Sequence, residues 1–315
     1  MGDSDVNLIA KNGKRGYNKY LKILNYKGVS CMKTGLVLEG GALRAIFSSG
    51  VCDGLLEGDI LPDYLIGVSA GIAYGVSYLS RQPRRNLEVV TTYANDRRYM
   101  GMHNLADKNN RSYFGLKFAY DTIPNELIPF DYDAFAAWPG QAEAVVTNLN
   151  TGEADYLEVP RRDKASTVLQ ASCAMPLMFP IYHIEGQPYL DGGVADGIPW
   201  RRALDQGCDR LVVVLTRPRS YVRRPDRIMS MVRRTYKDFP NFVRAMENRA
   251  ERYNENRAAL FEAEKQGKLV VIAPDSTLGV SRTERDTDKL RLLWAEGYQM
   301  AVDRLEEIRE YLQDS

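Results

Sequence analysis

Histidine and cysteine are scarce in this sequence, no long apolar run occurs, and neither charge is in excess. Two histidines, His103 and His183, in 315 residues form no ligand-spaced cluster, so a metal centre has no support. Four cysteines (Cys31, Cys52, Cys173 and Cys208) lie far apart with no CxxC pair. That argues against a disulfide framework and predicts reduced, mostly buried thiols in a cytoplasmic protein. No run of 18 or more apolar residues is present, so no helix should span a bilayer. The first residues lack an apolar segment followed by a small-residue cleavage site, and no secretory leader is expected. Lys and Arg number 42 against 41 Asp and Glu, a net charge of +1, which excludes a general nucleic-acid binder.

What is present suffices for one substantial core with an appendage, since 44% of residues are hydrophobic. Residues 1–31 are polar and basic, with Lys11, Lys14, Arg15, Lys19, Lys22 and Lys27. They read as an extension outside the fold, with Met32 an alternative start. From Thr34 the pattern changes. Gly35-Leu36-Val37-Leu38 reads as a strand, and Ile46, Phe47, Val51, Leu55 and Leu56 share one helical face. Tyr64 to Val68 reads as a second strand running into a helix over Ala70 to Leu79. Strand–helix–strand–helix at this spacing predicts a parallel sheet with helices on its faces. Helices are expected between residues 86 and 138, and a hairpin over 142–159. Leu211 to Leu215 reads as a buried strand and Lys268 to Ile272 as a late one. One final amphipathic helix is expected from Glu284 to Leu312. The expected organisation is a catalytic domain over 32–216 and a mostly helical region over 217–315.

Three motifs carry chemistry. Gly67-Val68-Ser69-Ala70-Gly71 is a G-x-S-x-G at a strand-to-helix junction. A serine on so sharp a turn points its hydroxyl out of the sheet, and the following helix aims its N-terminal dipole at it. Gly40-Gly41-Ala42-Leu43-Arg44-Ala45 occupies another such junction. Its small residues leave amides free to converge on an anion, either a phosphate or an acyl oxyanion. No GK[ST] follows, and Ala45 stands where a dinucleotide fingerprint has its third glycine. A neighbouring nucleophile makes the oxyanion hole the better fit. Tyr189-Leu190-Asp191-Gly192-Gly193 is by itself an ordinary turn signal. It gains weight because no histidine follows His183, whereas an α/β-hydrolase triad places its histidine late. A carboxylate that activates serine directly needs none.

In this order and at these spacings, the Gly40–Ala45, Gly67–Gly71 and Asp191–Gly193 motifs resemble those of the patatin-like phospholipase family. Residues 171–180, a small-residue block ending in Phe179-Pro180, resemble the block that precedes the Asp-Gly-Gly motif in that family. The likeness covers residues 34 to about 216, and on weaker grounds the rest looks like the C-terminal region of a bacterial subgroup. The resemblance implies a three-layer α/β/α fold with a mainly parallel sheet. It also implies a Ser69 nucleophile, Asp191 as proton acceptor, oxyanion donors at Gly40, Gly41 and Ala42, and motif support from Arg44, Gly67, Gly71, Gly192 and Gly193. The implied substrate is a lipid ester, and no cofactor is required. Glu39, Ala42, Ala45, Cys173 and Met175 depart from the family pattern without touching Ser69 or Asp191. Two other readings stay open: a histidine-dependent esterase or thioesterase using His183, and a catalytically silent lipid-binding module. Between Arg217 and Arg234 seven arginines face one acid, Asp226, among apolar residues. The segment reads either as a solvated helix face or as a patch for peripheral contact with an anionic membrane.

Overall fold

The computed structural model describes residues 32–313; the basic extension over 1–31 and Cys31 lie outside the described residues. Eight strands form one sheet: β1 (Thr34–Leu38), β2 (Tyr64–Val68), β3 (Gln141–Asn148), β4 (Ala154–Glu158), β5 (Tyr182–Ile184), β6 (Gln187–Asp191), β7 (Arg210–Val214) and β8 (Leu269–Ile272). The helices are α1 (Ile46–Glu57), α2 (Ala70–Leu79), α3 (Arg85–Tyr93), α4 (Met102–Ala106), α5 (Tyr132–Ala137) and α6 (Thr167–Ser172). They continue with α7 (Trp200–Asp205), α8 (Met229–Thr235), α9 (Pro240–Lys265), α10 (Thr287–Asp303) and α11 (Leu305–Gln313). Between α4 and α5 a π-helical stretch, Phe118–Leu127, carries Pro124.

Five strands run parallel in the order β3-β2-β1-β7-β8. Side chains alternate across a strand, and here both faces are covered. Leu36, Leu38, Leu65, Val212 and Ile272 pack with α1, α2 and α10. Val37, Ile66, Val68, Val213 and Val271 pack with α7 and α9. The result is a three-layer α/β/α sandwich.

The chain beyond residue 216 is mostly helical, yet it also supplies β8 to the sheet and a helix to each face. The contact of α10 with α1 is unusually close. A Cβ at Gly50 would lie 2.0 Å from the Trp294 carbonyl oxygen, and one at Gly297 would lie 2.2 Å from that of Phe47. Glycine on both helices is therefore a condition of this crossing. Asp53 reinforces it, its Oδ2 accepting from Trp294 Nε1 at 2.8 Å.

Two local expectations need correction. The single helix over 284–312 is two helices: Asp286 caps the first through the amides of Asp288 and Lys289, and the chain breaks at Arg304. Residues 217–228 are not helical, so the basic segment is no helix face before Met229. The 142–159 hairpin forms as β3 and β4. Cys52, Cys173 and Cys208 are buried free thiols. Among the described residues no helix is long and apolar enough to cross a membrane.

Candidate active site

Ser69 follows the last residue of β2 and precedes α2. Its backbone sits at φ 55°, ψ −129°, a region L-residues seldom adopt, and such strain persists only where surroundings enforce it. They do so here through a residue the sequence reading missed. The Ser69 N–H donates to Ser172 Oγ at 2.9 Å, and that hydroxyl donates to the Val145 carbonyl at 2.7 Å. A Cβ at Gly71 would lie 2.6 Å from the Leu38 carbonyl oxygen, and one at Gly67 2.6 Å from the Ile72 nitrogen. The glycines flanking Ser69 thus let α2 start hard against β1.

Asp191 reaches Ser69 by a feature of sheet topology. β3 has β4 along one edge. Its other edge is shared end to end, with β2 running up to the pair Val68–Val145 and antiparallel β6 running down to the pair Asp191–Val146. The C-terminal ends of β2 and β6 therefore meet head-on, and the next residue after β2 is Ser69. Gly192 turns the chain away there, where a Cβ would lie 2.3 Å from the Val145 carbonyl oxygen.

Asp191 is 5% exposed. Its Oδ1 accepts from the Gly193 N–H at 2.8 Å, and Thr147 Oγ1 donates to its carbonyl at 2.9 Å. Burial pushes its carboxyl above the ordinary range; the Arg249 charge, the Gly193 amide and the neighbouring Ser69 side chain act the other way. Arg249, on α9, was not legible in the sequence. Its Nε donates to the Gly193 carbonyl at 2.6 Å, holding the turn that follows Asp191. Cys173 lies near Ser69, but burial pushes its thiol up to about 12. It stays protonated and no competing thiolate arises.

The Gly40–Ala42 loop lies beside this pair. A Cβ at Gly41 would come within 2.8 Å of Thr216 Oγ1, which donates to the Gly40 carbonyl at 2.9 Å. Ala42 adopts a left-handed φ of 49°. Among the described residues the N–H groups of Gly40, Gly41 and Ala42 have no acceptor, whereas the Leu43 N–H donates to the Arg282 carbonyl at 3.4 Å. Glu39 is buried behind the loop, taking the Thr216 N–H at 2.6 Å and the Tyr253 hydroxyl at 2.5 Å.

Ser69 and Ala42 stand on the wall between two cavities. One, of about 150 Å³, is lined by Tyr74, Tyr99, Phe114, Ile123, Phe135 and other largely apolar side chains. The aromatic stretch from Tyr113 to Trp138 supplies much of it. The other, of about 430 Å³, contains Asp191 and Arg44 with several further arginines. His183 does not join the site. It is exposed on β5 and pairs with Pro188, three residues or about 10 Å along the strand from Asp191. His103 is exposed on α4, its Nε2 against the Arg97 carbonyl at 2.6 Å. No group of three or more metal-ligating side chains gathers among the described residues.

A family described as "Patatin-like phospholipase" matches residues 36–204, more than half of the chain. The chain belongs to the patatin-like phospholipase family. A second family, a domain of unknown function (DUF6363), matches residues 239–313. The uncharacterized protein YjjU of Escherichia coli K12 is 28% identical over 203 residues, 59% of this chain and 52% of that protein. The chain thus matches about half the length of this relative. VipD of Legionella pneumophila aligns with a TM-score of 0.43 and 15% identity over 88% of this chain and 67% of its own.

Proposed function

We propose that the protein is a lipid acyl hydrolase that cleaves carboxylic esters through an acyl-enzyme on Ser69. The observation that carries this reading is the head-on meeting of β2 and β6, which brings the buried Asp191 carboxylate to strained Ser69. Asp191 accepts the Ser69 hydroxyl proton as Oγ attacks the acyl carbonyl. Its burial makes it a stronger base than a solvated carboxylate, which suits this task. The oxyanion that develops is held by the free amides of Gly40, Gly41 and Ala42, oriented before the reaction begins. The alcohol departs with the proton from Asp191, leaving the acyl group on Ser69. Asp191 then deprotonates water, which attacks the ester; the fatty acid leaves and Ser69 regains its proton. The apolar cavity suits the acyl chain and the polar one the alcohol part of the ester.

Exposed His183 gives no support to a histidine-dependent esterase, and the intact Ser69–Asp191 pair speaks against a silent lipid-binding module. Peripheral contact with an anionic membrane, by a protein of the cytoplasm, fits the mouth of the polar cavity. Ile228 and Met231 line it and are exposed, Val222 is exposed nearby, and Arg224, Arg227 and Arg234 are exposed around them.

The test is labelling by a fluorophosphonate probe together with hydrolysis of p-nitrophenyl butyrate, comparing wild type with Ser69→Ala. Wild type is expected to label and turn over, and the variant to lose roughly 10⁴-fold or more of its activity, as when a hydrolase loses its nucleophile. A folded Ser69→Ala protein retaining a tenth of wild-type activity would remove the serine from the mechanism. A wild type that neither labels nor hydrolyses would favour the silent module.

A further inference from the structure

The 150 Å³ cavity beside Ser69 is apolar over most of its wall, yet the phenol groups of Tyr74, Tyr99 and Tyr120 stand in it. Ala70, Ala73 and Tyr74 line it from one face of α2. Tyr74 therefore lies little more than one helical turn beyond the nucleophile, and the two small side chains leave space before it. Tyr99 is 7% exposed, and its ring packs edge-on against Phe114 at 5.6 Å between centroids. Tyr120 belongs to the π-helical stretch, an irregularity that is frequent at functional sites. Cys173 marks where the phenols converge. It follows Ser172, which holds the Ser69 N–H at 2.9 Å, and its thiol bears on the ionisation of all three.

The protein makes little use of these hydroxyls. Among the described residues those of Tyr74 and Tyr99 have no hydrogen-bond partner, and Tyr120 has beside it the Cys173 thiol, a weak acceptor. Other polar groups on the same wall are engaged. Arg85 donates to Ser77 Oγ and the Ile128 carbonyl, Asn86 to Ser49 Oγ and the Tyr74 carbonyl, and Tyr132 to Asn125 Oδ1. A buried tyrosine hydroxyl usually finds a partner, and one left without is costlier than a phenylalanine of the same shape. Burial pushes all three phenols above their ordinary range, so each keeps its proton and can donate.

We infer that these phenols form an oxygen-recognition subsite, so that the preferred acyl group carries a hydroxyl on one of its first few carbons. A hydroxyl can accept from one phenol while donating to another, so one oxygen serves both Tyr74 and Tyr99. The inference rests on the ester-hydrolase reading and names the acyl half of its substrate. An apolar cavity of about 150 Å³ holds a group the size of benzene, which makes a six-carbon chain the suitable probe.

The experiment has a turnover arm and a binding arm. In the first, p-nitrophenyl hexanoate is compared with both enantiomers of its 2- and 3-hydroxy derivatives and with the 6-hydroxy derivative as distal control. Each rate is divided by that of the same ester with hydroxide, which removes intrinsic reactivity. Wild type, Tyr74→Phe, Tyr99→Phe and the double variant are assayed, with circular dichroism to verify folding. In the second arm, hexanamide and the 2- and 3-hydroxyhexanamides, neutral isosteres of the ester, are titrated calorimetrically into Ser69→Ala protein. At least one 2- or 3-hydroxy ester should exceed hexanoate about tenfold in kcat/KM, and the matching amide should bind about tenfold tighter than hexanamide. Each single variant should lose about threefold of the turnover preference and the double variant nearly all of it, as expected when neutral hydrogen bonds are removed. Equal treatment of the plain and hydroxylated chains, a preference for the 6-hydroxy ester alone, or a preference undiminished in the folded variants would overturn the inference while leaving Ser69 labelling intact. Failure of labelling would instead count against the hydrolase reading, with the binding arm still deciding the phenol subsite.

Discussion

Asp53 links the long C-terminal helix to the layer beneath the glycine loop, and its ionisation should be visible in stability. It lies on α1, 4% exposed, and its Oδ2 accepts from Trp294 Nε1 at 2.8 Å and from the Arg84 N–H at 3.0 Å. Burial pushes its carboxyl up to about 6, against the opposing pull of those two hydrogen bonds and the Arg84 charge. Because the folded pKa is raised, the folded state binds a proton that the unfolded chain has lost between about pH 4 and pH 6. The stabilising contribution is therefore present below the unfolded pKa and is lost as pH rises through about 6. The separation from an ordinary carboxylate corresponds to ~3 kcal/mol. In Asp53→Asn the amide oxygen can still accept both bonds, but the titration is gone. Its amide nitrogen, if unpaired, costs about 1–3 kcal/mol at every pH, which shifts the offset and leaves the slope untouched. Urea denaturation of both proteins, followed by tryptophan fluorescence at pH 4, 5, 6 and 7.5, gives the difference directly. The variant should gain about 2.4 kcal/mol relative to wild type between pH 4 and 7.5, because pH 4 already lies at the unfolded pKa. A difference that stays constant across that range would refute the reasoning.

Asp191→Asn should lose about as much esterase activity as Ser69→Ala, because a base and its nucleophile act as a unit, while His183→Ala and His103→Ala stay near wild type. A dead but folded His183→Ala would reinstate the histidine-dependent reading. Arg249→Gln removes the charge that opposes the upward push on Asp191, so the acid limb of kcat/KM against pH should move to higher pH; an unmoved limb would mean that Arg249 only supports the turn. Gly50→Ala drives a methyl into the Trp294 carbonyl and should cost about 1–3 kcal/mol or more of stability, read by urea denaturation; a neutral result would show that α10 is free to shift. Vesicle sedimentation should show salt-sensitive binding to anionic lipid that weakens by about 1 kcal/mol for each of Arg224, Arg227 and Arg234 changed to Gln, whereas Arg219 and Arg233, already paired with Glu264 and Glu247, should contribute less. Equal binding by the triple variant would assign these arginines to ordinary solvation.

The sequence by itself determined the local geometry. Short apolar runs marked the strands of the parallel core, because burial on both faces leaves no polar alternation, and a 3.6-residue period marked the helix that follows the first of them. The turn at Ser69 and the loop at Gly40–Gly41 were legible for a similar reason: a close backbone approach admits glycine at fixed offsets, so the constraint is written within five or six residues. Other features had no such local mark. The exposed surroundings of His183, the break at Arg304 and the irregular path of 217–228 depend on what packs alongside. Only the tertiary structure decided that β2 and β6 share one edge of β3, which is what brings Asp191 to Ser69 across more than a hundred residues. Ser172, Thr216 and Arg249 entered the site in the same way. Each acts through one long-range hydrogen bond to a backbone atom of Ser69, Gly40 or Gly193, and a single polar side chain with a distant partner leaves no periodicity to read. Likewise the arginines of the polar cavity come from four separate segments, and their convergence is a property of the folded surface rather than of any one stretch of chain.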